Sequence, residues 1–449
     1  MFSKNYVILM QSTRRPCGKF GIHSCMKKSN LYCVLADKGL GLHNSGRTYL
    51  CCHSRKYLED AQGEQIYLDT HTLEQAWTSP TRKEIQTALE NNQEHASCQA
   101  CWDDEHAGKK SRRQWHNSMN HPVTDRDDQP QILDLKMGNT CNMKCRTCNP
   151  EVSSQWYRED WELTAQPAEG IAYAEYLKRW RRIPASYSDD NHNLWDTMSK
   201  WVPNAVYIDY YGAEPMLIKK NFEVLQAAVD QGTAKNIDLH FSTNGTVWND
   251  ELENLLKQFK RVYFDLSIDD IGDRCGYIRY SSTWELVSGN LEKFLQAGHA
   301  NQNFHFGICI TINNLNIYYL DEMFDFFAKK GFGTNFNMLH LPHQLCVKSL
   351  PDDVKKSITD KLLKYIPDNT IAPEQHTHWN DYRPGVLNFL NTSIDSQAQH
   401  FREFHRYTRG LDRSRAQCFE TALPEFAELI KPWFEPLDQL LVVDSPVLK

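Results

Sequence analysis

The chain has 449 residues, 41% of them hydrophobic, and a formal net charge of −7. That length holds two or three domains with a sizeable core, the negative balance argues against a general nucleic-acid or anionic-membrane binder, and no apolar run approaches the roughly 18 residues that span a bilayer. The 14 Cys cluster in short metal-type spacings, which favours ligand thiolates in a reducing cytoplasm over a secreted disulfide framework.

Residues 1–25 carry Lys4, Arg14, Arg15 and Lys19 and no acidic residue. Their only apolar run, Tyr6 to Met10, is shorter than the roughly 7–15 residues of a signal-peptide core. The segment reads as a disordered lead, or as a mis-assigned start ahead of Met26. Residues 26–118 then hold Cys33, Cys51, Cys52, Cys98 and Cys101. Gly46 suits a tight turn between two short strands, which brings Cys33 and Cys51 together. Cys98-x-x-Cys101 follows a polar helix around 82–92. Two pairs of thiolates suit a zinc ion or an iron–sulfur cluster, and spacing does not separate the two. Cys52 competes with Cys51 as a ligand.

Lys109 to Arg113 (KKSRR) and the polar stretch to Gln131 read as a linker with a solvated basic run, set at 119–130 in the domain scheme. From 131 the chain alternates strands and helices, the pattern of a parallel sheet with crossover helices. Six strands are expected: Ile132–Met137, Val206–Tyr211, Ile237–Ser242, Val262–Asp269, Phe304–Ile312 and Asn335–Leu341. Ser282-x-x-Glu285 and Asp250-x-x-Glu253 read as capping boxes, and Gly232, Gly298 and Gly331 as helix stops. The stretch 151–204 is an insertion holding Trp156, Trp161, Trp180, Trp195 and Trp201 beside Lys178-Arg179-Trp180-Arg181-Arg182. It reads as a helical insert packing its Trp side chains, with nucleic-acid stacking as the competing interpretation. From 346 to 449 the chain is mostly helical.

The stretch that organises the chain is Leu133 to Pro150. Leu133, Leu135 and Met137 alternate with polar residues as in a half-buried strand. Gly138 and Asn139 then open a loop carrying Cys141, Cys145 and Cys148. Three thiolates in eight residues are soft ligands for iron–sulfur, zinc or Cu(I), and no fourth Cys or His follows in the loop to complete a structural zinc site. Polar residues gather where the later strands end, the functional end of a parallel barrel: Gly212-Ala213-Glu214-Pro215, Ser242-Thr243-Asn244-Gly245, Ser267-Ile268-Asp269, Thr311-Ile312-Asn313-Asn314 and His340-Leu341-Pro342. Cys275, Cys309 and Cys346 have no ligand spacing and read as small buried hydrophobes; Cys418 is a spare candidate near a cluster.

The Cys-x3-Cys-x2-Cys loop after a first strand resembles the radical S-adenosylmethionine enzymes. The resemblance implies a partial (β/α)6, TIM-like barrel over 131–345, with Cys141, Cys145 and Cys148 holding a 4Fe–4S cluster. The iron left open binds S-adenosylmethionine, whose reductive cleavage gives a 5′-deoxyadenosyl radical that removes hydrogen from a substrate. Thr147 stands where the family often has an aromatic residue. Gly212-Ala213-Glu214 resembles the family's Gly-Gly-Glu, which binds the methionine amino group, with Ala213 replacing the second Gly. Thr243 and Asn244 match a common third-strand ending. By the same resemblance Ser267 and Asp269 bond ribose hydroxyls or the cofactor carboxylate, Arg279 pairs with that carboxylate, and backbone at Leu341 meets adenine.

The Cys33…Gly46…Cys51 spacing resembles the start of a SPASM/twitch module, here placed ahead of the barrel as in a bacterial and phage group. This implies an auxiliary 4Fe–4S cluster on Cys33, Cys51, Cys98 and Cys101. Glu105, Gly108, Ser111 and Arg113 match the tail of that module, and Asp412 to Glu425 the closing segment of these proteins, packed on the barrel edge. The expected protein is thus a cytoplasmic enzyme served by a flavodoxin or ferredoxin, acting on a peptide or protein, or else on a small molecule such as an amino sugar, or RNA. The reading from another class is a zinc-stapled RNA-binding protein without catalysis.

Overall fold

Val262, Phe264 and Leu266 are buried while Arg261, Tyr263, Asp265 and Ser267 between them are partly open. Only a period of two puts these sets on opposite sides, so the segment folds as a strand. The same logic runs through the sheet at the centre of the computed structural model, which describes residues 29–443. The expected lead, 1–25, lies outside the described residues.

Eight strands build one sheet: β1 (Gly39–Leu42), β2 (Thr48–Tyr49), β3 (Ile132–Leu135), β4 (Tyr207–Tyr210), β5 (Asp238–Thr243), β6 (Arg261–Ser267), β7 (Phe304–Ile312) and β8 (Gly333–Met338). Their order is β2-β1-β3-β4-β5-β6-β7-β8. The β1–β2 pair is antiparallel and every other pair is parallel. Six of these are the strands expected from alternation. The other two come from the Cys-rich segment: β1 lies beside β3 in parallel, so that segment extends the same sheet. Gly39-Leu40-Gly41-Leu42 has no polar alternation to reveal it. Gly41 is needed there because a Cβ would stand 2.0 Å from the Tyr49 ring. Gly46, at φ +82°, makes the turn between the two strands.

One face of the sheet packs on helices through Leu133, Leu135, Ile208, Tyr210, Leu239, Phe241, Phe264, Ile308 and Ile310, all buried in one continuous core. The other face is polar, with Asp134 opposite Asp209 and Asp209 opposite His240.

Several expectations shift. The cap of helix Asp250–Leu256 is Asn249, which accepts from the Leu252 N–H at 3.0 Å, and that of helix Trp284–Ala300 is Thr283, which accepts from Leu286 at 3.3 Å. In each case a capping oxygen from the adjacent residue replaces the expected box, one residue earlier at Asn249 and one later at Thr283. Gly232 and Gly331 have positive φ just after their helices. Gly298 instead lies inside helix Trp284–Ala300, where a Cβ would meet the Phe306 ring at 2.9 Å. In the basic run Lys109 and Lys110 are exposed as expected, but its second half is not solvated. Ser111 caps helix Arg112–Ser118, Arg113 pairs with Glu105 at 2.6 Å, and Arg112 with Asp209 at 3.2 Å.

The insertion is helical. Trp156, Trp195 and Trp201 are buried, Arg179 pairs with Glu169, and the Arg182 guanidinium lies 4.0 Å over Tyr67. Among the described residues no helix is long and apolar enough to cross a membrane.

Candidate metal and cofactor site

The three-cysteine loop leaves the end of β3 and is held from three sides. Lys144 N–H donates to the Tyr280 carbonyl at 2.9 Å and Arg146 N–H to the Ile278 carbonyl at 2.8 Å, which stitches the loop to the end of helix Gly272–Ile278. From the insertion, Ser153 Oγ donates to the Met143 carbonyl at 2.7 Å and Trp156 Nε1 to the Cys145 carbonyl at 3.2 Å. From the C-terminal helix Gln397–Arg415, Tyr407 donates to the Arg146 carbonyl at 2.7 Å.

Arg146, between Cys145 and Cys148, is 1% exposed. Its guanidinium donates to the Tyr277 carbonyl at 2.9 Å, to Asp412 Oδ1 at 2.6 Å and to Gln417 Oε1 at 3.0 Å, and lies 3.7 Å over the Tyr277 ring. Tyr277 OH donates to the same Asp412 oxygen at 2.8 Å, and Asp412 Oδ2 accepts from the Phe419 N–H at 2.9 Å. Beside this, Arg415 pairs with Glu159 at 2.8 Å, both nearly buried. Sequence reasoning placed 412–425 at the barrel edge without seeing Arg146. An arginine inside the cysteine loop is the signal available, but its partner is invisible without the fold.

Cys145 is buried and Cys141 and Cys148 are partly so. The neighbouring Cys148 thiol draws Cys145 down to about 7, helped by Arg279. The same contact with Cys145, followed by burial, pushes Cys148 up. Burial pushes Cys141 up to about 11, and Cys145 adds to it. Asn244 Nδ2 lies 3.9 Å from Cys141 Sγ and donates to Asn142 Oδ1 at 2.8 Å, so the end of β5 steadies the first cysteine.

Of the expected cofactor residues, Glu214, Asn244, Asp269 and Arg279 stand beside this loop. Gly212 and Ala213 both have positive φ, +74° and +52°, which costs the alanine about 1–2 kcal/mol. Gly212 also lacks room, since a Cβ would meet Lys136 Cγ at 3.1 Å and Asn44 at 3.2 Å. Glu214 is fully buried. It accepts from Thr243 Oγ1 at 2.8 Å, Met216 N at 3.0 Å and Asn244 N at 2.6 Å, and burial pushes its carboxyl up. It therefore ties the end of β4 to the end of β5, whatever else it binds.

Asp269 accepts from Arg279 Nη1 at 2.7 Å and from Thr311 N at 2.8 Å. Burial opposes the charge of Arg279, but Cys145 and Asp269 together hold it on. Arg279 Nε is buried without a hydrogen-bond partner. Ser267 ends β6, partly open on the polar face. Leu341 is 66% exposed in the loop after β8.

These residues fit a cluster with a bound anion-bearing ligand. Arg279 favours the thiolate form of Cys145, and the orphaned Arg279 N–H lacks the acceptor that a carboxylate supplies.

Cys33, Cys51, Cys98 and Cys101 line one small, partly open cavity, with Arg112 and Arg113 on its wall. Burial pushes Cys33 up to about 11 and Cys98 up to about 12, a state that metal ligation reverses. Glu105, Ser111 and Arg113 form a brace: Ser111 Oγ and the Arg113 guanidinium both donate to Glu105, and Arg113 also reaches the Tyr32 carbonyl at 2.9 Å, next to Cys33. Cys52 is not on this wall; its N–H donates to Asp134 Oδ2 at 3.0 Å on the polar face. Among the described residues, no three His, Cys, Asp or Glu converge as ligands of a single ion.

Cys418 is exposed beside Glu420, and Cys275 and Cys346 are buried as expected. Cys309 differs, since it stands on the polar face with Asn337 Nδ2 donating to its sulfur at 3.0 Å.

No family model and no curated protein matches the chain. Among solved structures the chain is similar to native anSMEcpe with bound AdoMet, at 14% identity and TM-score 0.32, covering 68% of this chain and 98% of that one. It is similar to anSMEcpe with AdoMet and the Cp18Cys peptide at 14% identity and TM-score 0.30, and to the form with the Kp18Cys peptide at 13% and 0.31, each covering 67% of this chain and 96% of the other.

Proposed function

We propose that the chain is a radical S-adenosylmethionine enzyme acting on a peptide or protein. Cys141, Cys145 and Cys148 hold a 4Fe–4S cluster, and Cys33, Cys51, Cys98 and Cys101 an auxiliary one. The observation that carries the reading is the buried three-thiol loop set against Arg279, a fixed guanidinium with an unpartnered N–H. When bound and reduced, the cluster and S-adenosylmethionine supply a 5′-deoxyadenosyl radical that takes a hydrogen atom from the substrate.

The chain's own part is binding and orientation. Arg279, aligned by Asp269 at 2.7 Å, offers its free N–H to the cofactor carboxylate. Glu214 Oε2, with one donor at 2.6 Å, retains a lone pair for the cofactor ammonium. The positive-φ pair Gly212-Ala213 bends the backbone beside that carboxylate. The C-terminal segment holds the loop in shape through Tyr407, Asp412 and Gln417, all bonded to Arg146. A flavodoxin or ferredoxin serves as electron donor.

The test is anaerobic reconstitution with iron and sulfide, then assay of 5′-deoxyadenosine after S-adenosylmethionine and dithionite. Formation by the parent but not by the Cys141/Cys145/Cys148→Ala protein supports the reading. Bound zinc without cleavage overturns it and restores the RNA-binding alternative.

A further inference from the structure

On the polar face, His240 stands between two carboxylates. Its Nδ1 donates to Asp209 Oδ1 at 2.7 Å and its Nε2 faces Asp265 Oδ2 at 3.1 Å. Arg112 reaches Asp209 from the other side at 3.2 Å. Arg112 also lies 3.9 Å from Asp134, so three carboxylates share two basic side chains along this face. Asp265 ends the chain of contacts with its side chain 29% exposed. Its Oδ1 accepts from no group among the described residues.

Opposite Asp265 in register lies Gly307, and opposite Gly307 lies Gly333. Neither has a positive φ, so the backbone does not require glycine at either place. Glycine inside a strand weakens it and often marks a place where a ligand comes close. A Cβ on Gly307 would stand 3.4 Å from Asp265 Oδ1, 3.7 Å from Asn335 Nδ2 and 3.7 Å from the Gly333 carbonyl oxygen. Three hydrogen-bonding atoms therefore converge on the space of one missing methyl. Asn335 is exposed, on the edge strand.

We propose that Asp265, Gly307 and Asn335 form a substrate subsite that takes a neutral amide, with Asp265 Oδ1 accepting its N–H and Asn335 Nδ2 donating to its carbonyl. An acceptor and a donor side by side match the two faces of an amide. The subsite lies two residues below Ser267 along β6, about 6.6 Å at the usual rise, so it anchors a substrate one side-chain layer beneath the proposed cofactor. His240 and Asp209 are positioning residues that hold Asp265. The inference rests on the proposed function for what binds there.

The experiment titrates acetyl-Ala-Asn-Ala-amide into cluster-loaded protein with S-adenosylmethionine and no reductant, read by ligand-observed NMR. Saturable binding is expected, weakened at least tenfold by Asp265→Leu and by Gly307→Val. Gly307→Val fills the space with a strand-favouring residue and leaves the charges alone, so it decides the matter if Asp265→Leu does not fold. Parent-like affinity in a folded variant, no saturable binding by the parent, or preference for methylammonium over the peptide overturns the subsite. A protein that binds the peptide but never cleaves S-adenosylmethionine fails the proposed function and not the subsite.

Discussion

Arg146 donates to Asp412 at 2.6 Å across 266 residues of sequence, and both side chains are buried. The cysteine loop is therefore shaped by helices that the chain makes last. Removing one partner of a buried pair strands the other charge and typically costs about 3–5 kcal/mol. Arg146 keeps its bond to the Tyr277 carbonyl, so the lower end applies. Asp412→Ala is expected to lower stability by about 3 kcal/mol and to lose the iron of the loop cluster while keeping that of the other. Iron counting and denaturant unfolding check both parts.

Cys51 and Cys52 are adjacent, but only Cys51 lies on the cavity wall with Cys33, Cys98 and Cys101. Cys51→Ala is expected to lose the auxiliary iron and Cys52→Ala to retain it. Equal loss in both would contradict the assignment.

Glu214→Gln keeps the bonds from Thr243, Met216 and Asn244 in part but removes the charge offered to an ammonium. S-adenosylmethionine affinity is expected to fall about tenfold, or roughly 1.4 kcal/mol, with iron content unchanged. Equilibrium dialysis of the cofactor measures it.

His240 is raised to about 10. Burial opposes its charge, and Asp209 and Asp265 more than offset that. A His whose folded value lies above its unfolded value of about 6.5 stabilises fully below that pH and loses the contribution as pH rises through the folded value. The stability advantage of the parent over His240→Gln is therefore expected at pH 6 to 7 and to shrink toward pH 10. Thermal unfolding of both proteins across that range checks the sign.

A Cβ on Gly41 would stand 2.0 Å from the Tyr49 ring, which is itself held by Asp134 at 3.0 Å. Gly41→Val is expected to destabilise by about 1–3 kcal/mol through overpacking. It also displaces the strand that leads to Cys51, so the auxiliary iron is expected to fall with it. Unfolding and iron content are the measurements.

The six central strands were legible because alternation of Phe264 and Leu266 with Asp265 is a local pattern, and so were the three cysteines, whose ligand spacing lies within eight residues. Local signals also misled by one residue at Asn249 and Thr283, where neighbouring side chains compete for the same cap. They misled at Arg112 and Arg113, which belong to a run whose lysines are exposed but which are themselves engaged in ion pairs, Arg113 buried and Arg112 half-buried.

The sequence by itself determined the parallel sheet, the thiol loop and the second cysteine set, since periodicity and ligand spacing are properties of neighbouring residues. Tertiary structure decided that β1 joins that sheet, that Asp412 locks Arg146, and that Asp209, His240 and Asp265 meet on one face. Such pairings depend on strand order and helix docking, and no short window of sequence encodes which distant charge will lie opposite.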